Sequence, residues 1–288
     1  MTAVRIGLVG AGGMGSALGA NWRSGGSHVR TTLKGRSKRT AALARAAGLH
    51  VMPTIDDVVD VDVVVSIVPP GAAVSAAKDI AAAVERRGSN PLVADLNAVS
   101  PGTIEHICEV LGGAASSIVD GCVSGLPPEP GSGGTTIYLS GPEAGAVAAI
   151  ASPWAEVVVL GDEVGMASAF KMCTASMYKG TNGLVMQALL TASHYGVLDA
   201  FVANVSRAWP NEVPRWPWHV ALAATKSERF ADEMREIADT QEQVGLTAEL
   251  FHGMAEVFER VADSDLGQAT PESVDKSIAL ADVIRRLR

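Results

Sequence analysis

The stretch Val4-Arg5-Ile6-Gly7-Leu8-Val9-Gly10-Ala11-Gly12-Gly13-Met14-Gly15 decides how this chain is read. It opens as a β-branched, apolar run suited to a buried strand. It then breaks into Gly-x-Gly-x-x-Gly, with Gly10, Gly12 and Gly15 at the fixed positions. A helix-compatible segment follows, and then a second strand-like run, His28–Leu33. In such a turn the first glycine permits the tight bend and the second lets the backbone approach a pyrophosphate. The third lets helix and strand pack closely. The anion then rests on the helix N-terminus, where unpaired N–H groups and the helix dipole favour negative charge. A lone glycine triplet is a weak signal. Strand, loop, helix and second strand in this order, within about 33 residues, make it a strong one for a dinucleotide. Gly13 and Met14, at the helix start, count with the three glycines as cofactor-binding positions.

Outward from this stretch the first half alternates two patterns. Strand-like runs are Val4–Val9, His28–Leu33, Val61–Val68, Leu92–Leu96, Ile118–Cys122, Thr135–Leu139 and Glu156–Leu160. Ala-rich helical stretches lie between most of them, among them Thr40–Ala47, Ala72–Glu85 and Gly141–Ile150. Repeated βα alternation predicts a parallel sheet with helices on both faces. The run Asp62-Val63-Val64-Val65-Ser66-Ile67-Val68 hardly alternates, as a strand buried on both faces should read. From Glu163 to Tyr195 only helical spacing remains, predicting one long helix. Beyond it the chain stays helical, interrupted by a Trp/Pro-rich segment around Trp209–Trp218. Further helices are expected over Ser227–Val244, Thr247–Ala262 and Glu272–Arg288. The expected fold class is therefore α/β: a doubly wound Rossmann sheet over residues 1–162, followed by an all-helical domain over 163–288.

The 288 residues are 48% hydrophobic and 19% charged, a globular composition. A net charge of −8 without a dominant basic tract argues against nucleic acid. The three cysteines, Cys108, Cys122 and Cys173, fit neither a zinc motif nor a disulfide framework and read as reduced, mostly buried hydrophobes. The six histidines are scattered, so no metal site is expected. No apolar run reaches the roughly 18 residues of a membrane span, and the chain enters its first strand without a signal-like segment. The expectation is a soluble, cytoplasmic protein with no membrane partner.

The end of the second strand bears on which dinucleotide binds. An acidic residue there would hold the ribose hydroxyls of NAD and repel a 2′-phosphate. This chain carries Lys34-Gly35-Arg36-Ser37-Lys38-Arg39, with no acid. Arg36 can stack on adenine and pair with a phosphate, Ser37 can donate to it, and Arg39 adds charge. The plain alternative is a solvated basic patch. The cofactor expected is NADP.

Several segments, in order, resemble the β-hydroxyacid dehydrogenase superfamily, which includes 3-hydroxyisobutyrate and 6-phosphogluconate dehydrogenases and, more distantly, imine reductases. Gly7 to Gly15 is similar to that family's opening motif, and Gly35-Arg36-Ser37 stands where NADP-using members carry Asn-Arg-Ser/Thr. Val68-Pro69 stands where a Leu-Pro step lies beside the nicotinamide ribose. Asp95-Leu96-Asn97-Ala98-Val99-Ser100-Pro101 resembles Asp-x-Ser-Thr-x-x-Pro, which places Asn97 among the cofactor-binding residues. Asp120-Gly121-Cys122-Val123-Ser124-Gly125 resembles the substrate-binding Asp-Ala-Pro-Val-Ser-Gly, and Gly165 with Lys171 matches the catalytic helix. Glu228 to Ile237 is similar to a less characterised branch whose helical domain has no assigned role.

The resemblance implies an oxidoreductase in which Lys171 is the general acid/base for hydride transfer to or from a carbinol. Burial beside a cofactor would lower a lysine pKa toward a useful range. Thr174, Tyr178 and Asn182 follow Lys171 at helical spacing. Such a polar stripe either lines a cleft or bonds structurally to another domain. Thr174 and Tyr178 are counted as catalytic candidates; Ser124, Gly125 and Asn182 are counted as substrate-binding. Ala175 stands where the family usually has Asn, and Leu126 where a second Gly is common, so substrate choice is expected to differ. Trp209, Trp216 and Trp218 either cover an active-site mouth or pack an interhelical loop. The resemblance also implies a homodimer formed through the helical domain. The alternative activity is NADPH-dependent imine reduction, and a third reading is a non-catalytic NADP sensor.

Overall fold

The computed structural model describes residues 3–288. It divides into two compact units, Met1–Met172 and Cys173–Arg288. The first is built from β1 (Arg5–Val9), α1 (Gly13–Ser24), β2 (His28–Thr32), α2 (Lys38–Ala46), β3 (His50–Met52), α3 (Ile55–Val58) and β4 (Val63–Ser66). It continues with α4 (Ala73–Arg87), β5 (Leu92–Asp95), α5 (Pro101–Leu111), β6 (Ser117–Ser124), β7 (Thr136–Ser140), α6 (Ala144–Ala148) and β8 (Glu156–Gly161). Helix α7 (Met166–His194) runs on into the second unit.

The strands form one eight-stranded sheet in the order β3-β2-β1-β4-β5-β6-β7-β8. The first six are parallel neighbours, with the order reversal beside β1 typical of the doubly wound dinucleotide fold. Alternate residues feed two cores, because side chains alternate across a strand. Leu8, Val63 and Val65 join Leu18 and Trp22 of α1 and Val147 of α6 on one face. Val9, Val64 and Val93 join Ile80 and Val84 of α4 and Ile104 and Ile107 of α5 on the other.

Two sequence expectations are corrected. The sheet is not parallel throughout: β7 is antiparallel to β6, and β8 follows β7. The segment 125–135 between β6 and β7 is rich in glycine and proline and holds no helix, and only an antiparallel return can be made without a long crossover. The last helix does not begin at Glu272. Pro271–Ser273 is a single 3₁₀ turn, and α12 starts only at Leu280. Two further elements carry little signal in the sequence: β3 is a three-residue edge strand too short for a period, and α5 starts at Ser100-Pro101, inside the Asp95–Pro101 motif. Ser100 caps α5 by accepting from the Thr103 N–H.

The second unit adds α8 (Leu198–Ala208), α9 (Trp216–Ala224), α10 (Ser227–Gln243), α11 (Glu249–Ala262) and α12 (Leu280–Leu287). Helices α10 and α11 pack through Phe230 and Phe258, whose rings meet edge to face at 5.4 Å. Gly183 of α7 lies under Met254 and Phe258 of α11; a Cβ there would come within 2.1 Å of the Met254 sulfur. Trp216 is buried and touches both Trp209 and Phe201, while Trp209 is half exposed. Buried Glu233 of α10 is ion-paired by Lys179 of α7 and by Arg229, the latter at 3.1 Å. The Lys179 ammonium also lies 4.9 Å from the centre of the Phe230 ring.

A buried carboxylate with two cations is costly to break from one side, because the remaining charges lose their partner. Glu233→Ala is expected to destabilise the second unit by about 3 kcal/mol, the low end for such a loss because Arg229 is half exposed. Glu233→Gln should cost less, and urea denaturation of the two variants would show the ranking.

Candidate active site

Gly10 has φ +102°, and a Cβ there would lie 1.9 Å from the Ile67 carbonyl oxygen. A Cβ on Gly15 would lie 2.0 Å from the Gly10 carbonyl oxygen. Both positions therefore exclude any side chain. Gly12 is different: no atom comes within 4 Å of where its Cβ would be. Gly12 is also the N-cap of α1, and no side chain caps that helix. The loop is tight where strand and helix must touch and open at the N–H end of α1, with Gly13 and Met14 in the first turn. That cradle fits the diphosphate of a dinucleotide.

Beside it, Gly10, Thr32, Arg36, Val68, Ser75 and Asp79 line part of a cavity of about 150 Å³. Arg36 thus stands at the carboxyl end of β2, on the wall next to the glycine loop. Ser37 is the N-cap of α2, its hydroxyl accepting from the Thr40 N–H at 3.1 Å. Arg39 is exposed in the first turn of the same helix.

Val68-Pro69 leaves the end of β4 and is braced from beneath. The Val68 N–H donates to the Asn97 side-chain oxygen at 2.6 Å, and the Asn97 amide donates to Ser66 and to Asp95 at 3.1 and 2.7 Å. Asn97 is fully buried, so its side chain is committed to holding this loop. Burial pushes the Asp95 carboxyl up to about 7; hydrogen bonds from Asn97 oppose the rise and the nearby Asp120 charge adds to it.

Lys171, in the second turn of α7, donates from Nζ to the Val123 carbonyl at 2.6 Å. Val123 and Ser124 end β6, and Gly125 follows with φ +102°, packed so that a Cβ would lie 2.1 Å from the Gly134 oxygen. The glycine loop, Val68-Pro69, Asn97 and Ser124-Gly125 therefore follow the carboxyl ends of four adjacent parallel strands, β1, β4, β5 and β6. At about 4.8 Å per strand, the row spans roughly 14 Å. Ligands of open α/β sheets bind along this edge.

Thr174, Tyr178 and Asn182 continue α7 within the second unit. Tyr178 is 72% exposed, and the Asn182 amide donates to the Tyr178 carbonyl. Ala175 is buried and Leu126 is exposed. Among the cysteines, burial pushes Cys122 up to about 12 and Cys108 up to about 11, which keeps both thiols protonated. Cys173 is exposed, unlike the other two. Among the described residues no cluster of His, Cys, Asp or Glu is arranged to hold a metal, and no helix is long and apolar enough to cross a membrane.

Sequence reasoning missed the buried polar residues beneath this edge: Ser66, Ser140, Ser168, and the side chains of Asp95 and Asp120. In the sequence Asp95 and Asp120 stand only as the first residues of their motifs. A carboxylate inside an apolar strand was the available signal, since an acid is almost never fully buried unless partnered.

The model for the NAD binding domain of 6-phosphogluconate dehydrogenase matches residues 5–155, more than half of the 288-residue chain. A domain of unknown function (DUF1932) matches residues 192–261. Among solved structures, the conserved protein MTH1747 of unknown function, itself structurally similar to 3-hydroxyacid dehydrogenases, is 26% identical with a TM-score of 0.66. That match covers 90% of this chain and 97% of the other. A 3-hydroxyisobutyrate dehydrogenase from Mycobacterium tuberculosis, with L-serine, is 20% identical over the whole of both chains with a TM-score of 0.69. A reductive aminase from Aspergillus terreus, in complex with NADPH and ethyl levulinate, is 16% identical over the whole of both chains with a TM-score of 0.53. The last two share the fold. With the cradle, the strand order and the matched domain in agreement, this chain belongs to the β-hydroxyacid dehydrogenase-like family, with a 6-phosphogluconate dehydrogenase type of NAD-binding domain and a helical C-terminal domain.

Proposed function

We propose that the protein is an NADP-dependent oxidoreductase that moves a hydride between NADP(H) and a β-hydroxyacid-like alcohol or its carbonyl partner, with Lys171 as general acid/base. The observation that carries this reading is the Lys171 ammonium at the Val123 carbonyl, on the same sheet edge as the glycine cradle. The N-terminal region (1–162) holds the cofactor and the helical region (163–288) selects substrate and forms a homodimer. Pairing is supported by α8, whose apolar stripe of Leu198, Phe201, Val202 and Val205 is only part-buried, Phe201 lying against Trp216. The reaction is placed in the cytoplasm.

The residues that would hold NADP are Gly10, Gly12, Gly13, Met14 and Gly15 at the diphosphate, with Arg36, Ser37 and Arg39 at the 2′-phosphate. Val68 and Pro69, braced by Asn97, would lie at the nicotinamide ribose. The cofactor supplies the hydride. In the reducing direction Lys171 gives a proton to the oxygen that gains charge, and in the oxidising direction its neutral amine takes the hydroxyl proton. The Val123 carbonyl orients the Lys171 nitrogen for both. Ser124 and the Gly125 N–H are assigned to a substrate carboxylate. Thr174, Tyr178 and Asn182 are the candidates for the substrate hydrogen bond that the family's Asn supplies where this chain has Ala175. A second reading, reduction of a C=N bond, is motivated by the fold shared with the NADPH-bound reductive aminase.

Two experiments test these assignments. The Michaelis constant for NADPH should lie well below that for NADH. Arg36→Ala should raise the NADPH value roughly 10- to 100-fold, as expected for losing a charged hydrogen bond, while barely moving NADH. A clear NADH preference in the parent protein would defeat the NADP assignment. In a panel of hydroxyacids, ketoacids and cyclic imines, Lys171→Ala should lower kcat at least about 100-fold without changing NADPH affinity. Imine turnover that survives this substitution would favour the second reading. Tight NADPH binding with no turnover across the panel would leave a sensor.

A further inference from the structure

Helix α7 begins without a capping side chain of its own. Gly165 precedes it with φ +101°, and its carbonyl accepts the first helical hydrogen bond, from the Ala169 N–H. The N–H groups of the first turn would be orphaned there. The sheet supplies the missing acceptors. Oδ2 of Asp120, on β6, accepts from the Gly165 N–H at 2.9 Å and the Ser168 N–H at 3.0 Å. Oδ1 of Asp120 accepts from the Ser168 hydroxyl at 2.7 Å. Ser140, on β7, donates its hydroxyl to Asp120 at 3.1 Å and accepts from the Ala167 N–H at 3.0 Å. Both Asp120 and Ser140 are fully buried.

The same strand holds the helix a second time. Three residues beyond Asp120, about 10 Å along β6, the Val123 carbonyl accepts from Lys171. Along α7 the lysine is five residues past Met166, about 7.5 Å of rise. Strand and helix are thus joined at two points, one fixing where the helix starts and the other receiving its lysine. A buried carboxylate at this place is favourable only because the helix N-terminus and its N–H groups face it. The Asp120 carboxylate is engaged by Gly165, Ser168 and Ser140, all groups of the protein itself.

We propose that Asp120, assisted by Ser140, is a positioning residue: it caps the N-terminus of α7 from the sheet and thereby sets Lys171 against the carboxyl end of β6. This role rests on the general acid/base reading of Lys171 for its catalytic meaning, but the positioning itself does not. It also explains why an acid begins the Asp120-Gly121-Cys122-Val123-Ser124-Gly125 segment: the acid serves the helix and the segment's end serves the site.

The test reads the lysine directly. The holo protein with NADPH is acetylated with trace acetic anhydride, and labelling of Lys171 is followed by mass spectrometry against exposed Lys78 as internal reference. Asp120→Ala should raise the Lys171/Lys78 ratio about fivefold, the scale of losing one good cap, with NADPH affinity preserved. Asp120→Asn, which keeps one acceptor oxygen, should restore most of the protection. For any substrate the panel yields, kcat of Asp120→Ala should fall while KM holds. An unchanged ratio in a folded, NADPH-binding Asp120→Ala protein overturns the proposal. If that variant does not accumulate, the double substitution Asp120→Asn with Ser140→Ala carries the same readout, with the same outcome overturning it. A Lys171→Ala protein with full activity would instead remove the acid/base reading and leave the labelling result intact.

Discussion

The constraint on which the first unit depends is steric. The glycine loop must let the end of β1 pass against the Ile67 carbonyl, and let α1 start against the Gly10 carbonyl, at distances that leave no space for a Cβ. Were either gap filled, α1 would tilt off the sheet and its N-terminus would no longer face the carboxyl edge. The absence of neighbours at Gly12 belongs to the same arrangement. Where the backbone is crowded it is closing the fold, and where it is open it presents N–H groups outward.

The carboxyl edge is then held by buried acids rather than by apolar packing alone. Asp95 supports Asn97, and Asn97 holds Val68; Asp120 and Ser140 hold the start of α7. Asp95 and Asp120 are register partners on adjacent strands. Their partners differ. Asp120 accepts from backbone N–H groups at a helix terminus. Asp95 accepts from Asn97, and burial drives its carboxyl up to about 7. Apolar residues could fill the same volume, but they could not fix the angles of a loop and a helix.

The second unit uses a related device in a different setting. Its helices meet through Phe230, Phe258 and the glycine gap at Gly183, and Glu233 draws in Lys179 and Arg229. This cluster lies in the part of α10 that carries the likeness to the less characterised branch. Its tryptophans are shared between structure and surface: Trp216 belongs to the core, while Trp209 is half exposed.

The sequence by itself determined the doubly wound sheet, the helical second half and the cradle. These follow from local rules: glycines where no Cβ fits, β-branched runs for buried strands, and helical spacing after Glu163. It also singled out Arg36 and Ser37 through residue type and position, and Lys171 through the family resemblance. It did not determine the antiparallel return of β7, because strand direction depends on which crossover is possible and not on the strand's own residues. It could not place the start of α12, since the 3₁₀ turn at Pro271 has the composition of a helix start. Nor could it assign Asp95, Asn97, Asp120 and Ser140 their work. Asp120 reaches Ser168 across 48 positions and Asn97 reaches Val68 across 29. A hydrogen bond over such separations has no periodicity to read. Only the packed sheet, by bringing β5, β6 and β7 side by side beneath the helix, decided that these polar groups would meet.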